Sequence, residues 1–197
     1  IEPKSCHKCF RIEKNGGVSL RQIYSDIWQN QMNEALKETK EDGTVTAKVR
    51  YLDFSLSNTC NLKCRMCNPI ASHFLYDEFH EMGIPFSREG YQRSQDSWKL
   101  DSQFKKLIDH MLPSIEEMLF TGGEPFLSRQ QIYILERAVD LGVAHKITLR
   151  YHTNLTLLPK ILQELWKHFK EVQVHCSIEA EGLLNDYIRY PSVWKTT

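Results

Sequence analysis

The run Thr59-Cys60-Asn61-Leu62-Lys63-Cys64-Arg65-Met66-Cys67 places three cysteines within one short stretch of this chain. Each thiolate can bind iron, and an iron–sulfur cube needs four ligands, of which this stretch supplies three. The fourth iron is then left with an open position, which marks catalytic rather than structural metal sites. The run therefore indicates a cluster that takes part in chemistry as well as storing an electron.

The segment before this run predicts a β-strand, because residues 51–56 alternate apolar and polar side chains with a period of two. Further strands are predicted at 115–120, 146–151 and 172–178, with helical segments between them. A repeated order of strand, loop and helix is typical of right-handed β-α units. The predicted fold class is therefore α/β with a parallel sheet.

Four marked segments follow the four predicted strands. They are the cysteine run, the turn Gly122-Gly123-Glu124-Pro125, the pair Thr153-Asn154, and the stretch Ser177 to Glu179. In parallel sheets, the loops at the carboxyl ends of the strands form the ligand site. We therefore expect these four segments to surround one site.

Helix signals lie before the first predicted strand and between the strands. Ser19, with Gln22 three residues later, predicts a capping box at the start of a helix that extends to about residue 41. Other helices are predicted at 69–82, at 101–112, from Ser128 to 142, at 159–169 and just before Arg189, and residues 86–100 predict a surface insertion. Five apolar side chains on these helices are expected in the core: Tyr133, Ile134, Leu135, Trp166 and Phe169.

Composition limits the class of protein. Acidic and basic residues cancel at 25 each, so no bulk charge favours nucleic acid or a membrane surface. No apolar stretch approaches transmembrane length, and no secretory signal is visible. Five of the six cysteines lie in two close clusters, which favours metal binding in a reducing compartment, with the cytoplasm as the expected location. The chain opens with Ile1 rather than Met, so its true N-terminus is expected to be missing.

The spacing Cys60-x-x-x-Cys64-x-x-Cys67 after one strand, with Gly122-Gly123-Glu124-Pro125 after the next, resembles the radical S-adenosylmethionine (radical SAM) superfamily. The resemblance runs from about Lys48 to Tyr190. The stretch from Cys6-x-x-Cys9 through Glu13, Gly16, Ser19 and Arg21, and the ending Tyr187-Ile188-Arg189-Tyr190-Pro191, resemble more narrowly its twitch or SPASM-related branch.

The resemblance implies a partial (β/α)6 barrel of the TIM-like type. Four predicted strands fall short of six, so the barrel is expected to be truncated, with residues 1–47 as a cysteine-containing helical extension and 48–197 as the core. It also implies a [4Fe–4S] cluster on Cys60, Cys64 and Cys67, with SAM bound to the open iron through its amino and carboxylate groups. A one-electron reductant such as flavodoxin or ferredoxin would reduce the cluster. SAM cleavage would then give methionine and a 5′-deoxyadenosyl radical, which abstracts hydrogen from an unknown substrate, with a peptide or protein as the first expectation.

The resemblance implies two groups of residues that hold the amino acid end of SAM. The turn residues Gly122, Gly123 and Glu124 are expected at the methionyl ammonium, because glycine lets the backbone approach a ligand and a carboxylate can accept charge-assisted bonds. Arg189 is expected to pair with the SAM carboxylate. Paired glycines between a strand and a helix are also common as a simple turn.

The remaining cofactor-binding candidates are assigned by their place in the resemblance. Met66 stands where the family usually carries an aromatic residue, and it is expected near the adenine. Thr153 and Asn154 are expected at the ribose or the substrate, although such residues often only turn the chain. Ser177 is expected at the ribose or the carboxylate. Glu179 occupies a place where related sequences often carry Asp, and it is either a substrate contact or a helix cap.

Cys6 and Cys9 leave three interpretations open: auxiliary iron–sulfur ligands, half of a zinc site, or a reducible pair. Two alternatives to the enzyme also stay open, namely a non-catalytic iron–sulfur protein for electron transfer or scaffolding, and a zinc-binding interaction module. The presence of Glu124 and Arg189 with the cysteine run argues against both, because neither alternative requires them. Cys176 is alone on a predicted strand, where a free cysteine is expected to be a small buried apolar residue.

Overall fold

The computed structural model of the chain describes residues 3–46, 48–86 and 99–196. Most of the predicted surface insertion, at 87–98, lies outside the described residues. The chain divides into two units, Ile1–Lys48 and Val49–Thr197. This boundary falls one residue after the predicted one.

Four parallel strands form one sheet in the second unit. They are β1 (Tyr51–Ser55), β2 (Glu117–Thr121), β3 (Thr148–Thr153) and β4 (Glu171–Cys176). Their order in the sheet is β1-β2-β3-β4, and each pair is parallel. The predicted α/β fold with a parallel sheet is confirmed. Because the strands are parallel, their carboxyl ends meet at one edge, which is where the marked segments begin.

One face of the sheet carries the apolar core. Alternate strand residues point to this face, among them Phe54, Phe120 and Tyr151, whose rings stack in sequence with centroids 5.3 Å apart. The helices α5 (Ser102–Met111), α6 (Arg129–Asp140) and α7 (Lys160–Trp166) contribute buried side chains to the same core. Of the predicted core residues, Ile134, Leu135 and Phe169 are buried, and Tyr133 and Trp166 pack against the core at its margin.

The opposite face of the sheet is polar. It carries Arg150, which forms an ion pair with Glu117 at 3.2 Å between Nε and Oε1. Next to them, His152 and His175 are exposed and are register partners on β3 and β4, with ring centroids 5.3 Å apart. Parallel sheets are usually covered on both faces by apolar layers. A polar face therefore indicates a surface that meets water or a polar ligand.

The helices of the second unit follow their predicted signals with one exception. Asp101 caps α5, and Ser128 caps α6 by accepting the Gln131 N–H at 3.3 Å, as the sequence predicted for Ser128. The helix predicted from residue 69 was wrong in its start, because α4 spans only Leu75–Glu81. Residues 69–74 form turns instead, where Asn58 donates to the Pro69 carbonyl and accepts the His73 N–H through its own carbonyl.

The first unit is helical. It contains α1 (His7–Lys14), α2 (Leu20–Ile27) and α3 (Gln29–Glu38), preceded by a 3₁₀ turn at Lys4–Cys6. The capping box is confirmed, since Ser19 and Gln22 exchange both expected hydrogen bonds. The predicted single helix to residue 41 was wrong, because Trp28 leaves the helical conformation at φ −103° and splits it. Among the described helices, none is long and apolar enough to cross a membrane.

The prediction that Cys176 is buried was also wrong. Cys176 is exposed at the last position of β4. Among the described strands β4 lies at the end of the sheet, and only β3 pairs with it. A side chain on such an edge strand lacks neighbours on one side, so its strand position did not bury it.

Candidate functional site

Three thiols meet in the loop that follows β1. Cys60 and Cys64 are buried and Cys67 is half-buried, and together with Leu62 they form one packed cluster. Burial raises the pKa of the Cys60 thiol. The hydrogen bond with Cys64 lowers the pKa of Cys67, and the same bond raises that of Cys64. The predicted ligand set is therefore brought together in space as well as in sequence.

A cavity of about 240 Å³ lies against these thiols. It is lined by residues from all four marked segments: Cys60, Cys64, Met66, Cys67, Ala71, Thr121, Gly122, Gly123, Glu124, His152, Asn154, Ser177 and Arg189. Of the predicted site residues in the second unit, Thr153 and Glu179 are not in this lining. Both contact residues that are, as described below.

The glycine turn contacts the start of the cysteine loop through its backbone. The Gly123 N–H donates to the Ser57 carbonyl at 2.9 Å, and the Glu124 N–H donates to the Thr59 carbonyl at 2.8 Å. A Cβ atom on Gly123 would stand 2.1 Å from the Thr59 oxygen. Gly122 has φ +103°, a conformation that favours glycine. The glycines thus have a structural reason that the sequence did not predict, which is the close approach of two loops.

Glu124 is buried at the centre of this contact, with 3% of its surface exposed. Its Oε1 accepts the Thr153 hydroxyl at 2.6 Å and the Phe126 N–H at 3.2 Å, and its Oε2 accepts the Asn154 N–H at 2.9 Å. Burial raises the pKa of Glu124, although these hydrogen bonds and Arg189 act in the opposite direction. A carboxylate has about four acceptor positions. The three described bonds leave about one of them for a ligand in the cavity.

Asparagine side chains connect the cysteine loop to the loop after β3. Asn154 donates to Asn61 at 2.9 Å between Nδ2 and Oδ1, and Asn61 donates to the Thr156 hydroxyl at 2.7 Å. Thr156 closes the network by donating to the Asn154 side chain at 2.7 Å. Sequence reasoning missed Asn61 and Thr156. Their only signal was a polar residue within or beside a marked segment.

Arg189 contacts the cysteine loop directly. Its Nη1 lies 3.7 Å from the Cys64 sulfur, while its Nε and Nη2 both donate to the carboxylate of Glu179. The role predicted for Glu179, a substrate contact or a helix cap, stays a prediction. The partner of Glu179 is Arg189.

Three residues that line the cavity were missed from sequence: Ala71, Thr121 and His152. His152 precedes the predicted pair Thr153-Asn154 on β3. Its signal was the period of two along a strand, which turns His152 toward the cavity and Thr153 toward Glu124. Thr153 and Asn154 were both predicted at the ribose or the substrate, and of the two only Asn154 lines the cavity.

A second cavity of about 360 Å³ borders the cysteine loop as well. It shares Cys64 and Cys67 with the first cavity, and it is otherwise lined by Lys63, Arg65, Leu75, Glu78, Phe79, Met82 and Tyr190. Although it is larger, it lacks the glycine turn and the β3 and β4 loops. The smaller cavity is therefore the better candidate for a cofactor site.

In the first unit, Cys6 and Cys9 lie at the start of α1 and are partly exposed. An ion pair with Glu13, at 2.5 Å, raises the pKa of Arg21, and the charges of Cys9 and Cys6 act in the same direction. Among residues 3–46, 48–86 and 99–196, no three His, Cys, Asp or Glu side chains are arranged as ligands of one metal ion. Thiolates that each bind a different iron of a cube do not need that arrangement.

Comparison with known proteins identifies the class of protein. A family model described as the Radical SAM superfamily matches residues 54–186, which include the cysteine loop and all four strands except the first residues of β1. The chain therefore belongs to the radical SAM superfamily. Members of this superfamily in general use SAM and a [4Fe–4S] cluster.

This chain matches parts of two longer proteins. The chain is 26% identical over 119 residues to a GTP 3′,8-cyclase from Clostridium acetobutylicum, which covers 60% of this chain and 31% of that protein. It thus spans about a third of the length of this curated relative. A crystal structure of Streptococcus suis SuiB bound to the precursor peptide SuiA matches 94% of this chain and 39% of its own, with 15% identity and a TM-score of 0.45.

The residues around the smaller cavity fit the cofactors of this superfamily. Three clustered thiols provide sulfur ligands, Glu124 keeps an acceptor position, and Arg189 brings a cation to the same wall. The thiols match the ligands of an iron–sulfur cluster. The carboxylate and the guanidinium match the ammonium and the carboxylate of an amino acid group.

Proposed function

We propose that this chain is the core of a radical SAM enzyme, which binds a [4Fe–4S] cluster through Cys60, Cys64 and Cys67 and cleaves SAM reductively. The observation that carries the proposal is the single cavity that the three thiols share with Glu124, Asn154, Ser177 and Arg189. Within this proposal, the four strands belong to a six-stranded partial barrel.

When bound, the cluster and SAM supply a 5′-deoxyadenosyl radical that takes a hydrogen atom from the substrate. The protein's part is to bind and orient. The three thiolates hold the cluster, and the free acceptor position of Glu124 receives the SAM ammonium. Ser177 and Asn154, which line the cavity at the ends of β4 and β3, offer a hydroxyl and an amide to the ribose or the carboxylate. Met66, 53% exposed at the cavity, offers an apolar surface to the adenine.

The partners belong to the same proposal. A one-electron donor of the flavodoxin or ferredoxin type reduces the cluster, and the reaction takes place in the cytoplasm. A peptide or protein is our first choice of substrate, because the stretch from Cys6 to Arg21 and the ending at Pro191 resemble the twitch or SPASM-related branch.

Cys6 and Cys9 are proposed as ligands of an auxiliary iron–sulfur cluster or of zinc. Two half-buried thiols close together at the start of α1 support a metal–thiolate group there. Two thiolates do not complete a metal site, so further ligands must come from elsewhere.

The test is anaerobic purification with iron and sulfide analysis, followed by an assay for 5′-deoxyadenosine with SAM and dithionite. We expect iron and sulfide, visible absorbance and product. Replacing any one of Cys60, Cys64 and Cys67 with Ala should abolish the absorbance. The matched control is Cys176→Ala, which removes an exposed thiol outside the cavity and should leave the cluster intact.

Three results would overturn the proposal. A colourless protein with zinc and no sulfide would favour the zinc-binding module. A cluster that yields no 5′-deoxyadenosine would favour the non-catalytic iron–sulfur protein. Normal cluster content in the Cys64→Ala variant would remove the ligand assignment.

A further inference from the structure

The backbone places Arg189 opposite Cys64. The Lys63 N–H donates to the Tyr190 carbonyl at 2.6 Å, and the Arg65 N–H donates to the Ile188 carbonyl at 2.9 Å. The two donor residues are the sequence neighbours of Cys64, and the two acceptor residues are the sequence neighbours of Arg189. One backbone bond on each side therefore fixes Arg189 against Cys64 independently of the side-chain contacts.

The side chain of Glu179 then sets the direction of the guanidinium. Its two carboxylate oxygens take Nε and Nη2, which is the edge that arginine normally offers to a carboxylate. Nη1 is left to point at the Cys64 sulfur, at 3.7 Å. The arginine side chain is mostly buried, with 12% exposed, so the charge is held in place rather than moving in solvent.

Asn185 anchors both partners of this ion pair. It is buried in α8 (Leu183–Ile188), where its Oδ1 lies 3.4 Å from the Glu179 N–H and its carbonyl accepts the Arg189 N–H at 2.7 Å. The ion pair is therefore fixed at both ends by the same residue. This makes Glu179 and Arg189 one preorganised unit.

A fixed cation beside a cysteine ligand has a defined electrostatic effect. Net charge and hydrogen bonds to the sulfurs set the reduction potential of an iron–sulfur cluster. Reduction adds one negative charge, so a nearby guanidinium stabilises the reduced state more than the oxidised one.

We propose that Glu179 is a positioning residue that holds the Arg189 guanidinium on the Cys64 sulfur, and that this pair makes the cluster easier to reduce. The inference rests on the proposed function, because it needs a cluster on Cys64. It gives Arg189 a role in tuning the cluster that is separate from a contact to the SAM carboxylate.

The experiment is a redox titration of the cluster without SAM, monitored by electron paramagnetic resonance. Arg189→Met should lower the ratio of reduced to oxidised cluster at a fixed potential about tenfold, which equals about 59 mV for a one-electron couple. Glu179→Gln should lower this ratio when Arg189 is present, because the guanidinium is released. In the Arg189→Met background it should raise the ratio, because only a negative charge is lost.

Two further variants complete the design. Glu179→Asp keeps a carboxylate and should give a ratio between those of the native chain and Glu179→Gln. Arg65→Met is the matched control, since Arg65 is a cation of the same loop whose guanidinium lies 4.1 Å from the Tyr187 ring centroid and bonds the Tyr187 carbonyl. It should shift the ratio less than Arg189→Met. Iron and sulfide content and circular dichroism establish that each variant is folded and loaded.

Equal shifts in Arg65→Met and Arg189→Met would overturn the inference, and so would equal effects of Glu179→Gln in both backgrounds. Either result would leave the proposed function intact. If the native chain forms no cluster, the proposed function fails and this inference fails with it. If Arg189→Met binds little cluster, the titration is restricted to the protein that contains a cluster. It is then repeated with Arg189→Lys, which keeps the positive charge but cannot bind the Glu179 carboxylate through two nitrogens.

Discussion

At the scale of single residues, Glu124 combines burial with polar contacts that only partly satisfy it. A buried carboxylate without partners would shift strongly to its neutral form, because charge is costly away from water. Thr153 and two backbone N–H groups offset that cost at three acceptor positions. Glu124 also lines a cavity whose wall includes Arg189. An ammonium group of a ligand would complete the set.

Replacing Glu124 with Gln should therefore weaken SAM binding and leave the cluster in place. Charge-assisted hydrogen bonds contribute about 1.5–3 kcal/mol, so the Kd should rise roughly 10- to 150-fold. Equilibrium binding of SAM to the protein with an oxidised cluster measures this change. Glu78→Gln is the control, because Glu78 is paired with Lys63 outside the cavity, and its Kd should stay unchanged. An unchanged Kd in Glu124→Gln would exclude Glu124 from the site.

At the scale of elements, the site depends on two loops that contact each other through their backbones. The turn after β2 lies against the start of the cysteine loop after β1, and Gly123 has no space for a side chain there. The nearest atoms are backbone atoms of Thr59 and Asn58, which cannot rotate away as a side chain could. The position of the thiols is thus linked to a glycine in another loop.

Replacing Gly123 with Ala should force the two loops apart. We expect a loss of stability of about 1–3 kcal/mol, typical of overpacking, together with a lower cluster content. Urea unfolding and iron analysis measure the two effects. Gly17→Ala is a matched control, since its Cβ would meet first a side-chain methyl of Ile12, at 2.9 Å. Equal losses in both variants would argue against a special role of the loop contact.

Local signals predicted the elements better than their ends. The Ser128 cap and the Ser19 capping box could be predicted because each is a hydrogen bond between residues three apart in sequence. The start of α4 could not be predicted from local signals. The turns before it are held by hydrogen bonds to Asn58, which lies 11 residues before Pro69. The burial of Cys176 was misjudged for a similar reason, since a strand's place in a sheet depends on its neighbours.

The candidate site followed the same rule. Its members could be predicted wherever parallel strands end, because topology alone brings those ends together. The pairing of Glu179 with Arg189 and the network through Asn61 could not, since both depend on loop conformations. The exposure of Met66 is likewise a product of the folded loop, whereas the placement of His152 follows from its position on β3.

At the scale of the whole molecule, the chain has two units that each contain a cysteine cluster. The second unit contains Cys60, Cys64 and Cys67 with the cavity that they line, and the first unit contains Cys6 and Cys9. The two groups differ in their surroundings. Cys60 and Cys64 are buried, whereas Cys6 and Cys9 are partly exposed. Metal at the two places should therefore be separable by mutation.

Replacing Cys6 and Cys9 together with Ala should reduce the metal content per chain and leave the absorbance of the cluster on Cys60, Cys64 and Cys67. The reason is that the thiolates of Cys6 and Cys9 are the ligands proposed for metal in the first unit. Elemental analysis for iron and zinc, with Cys176→Ala as the control, makes the measurement. Metal content equal to that of the control would mean that Cys6 and Cys9 are free thiols.

The bonds from Lys63 and Arg65 to the carbonyls of Tyr190 and Ile188 also bear on biosynthesis. A nascent polypeptide emerging from the ribosome displays the sulfurs proposed to bind iron long before the segment that braces them has been translated. Delivery of iron and sulfide by an assembly machinery should therefore succeed after release of the finished polypeptide and fail on shorter translation intermediates.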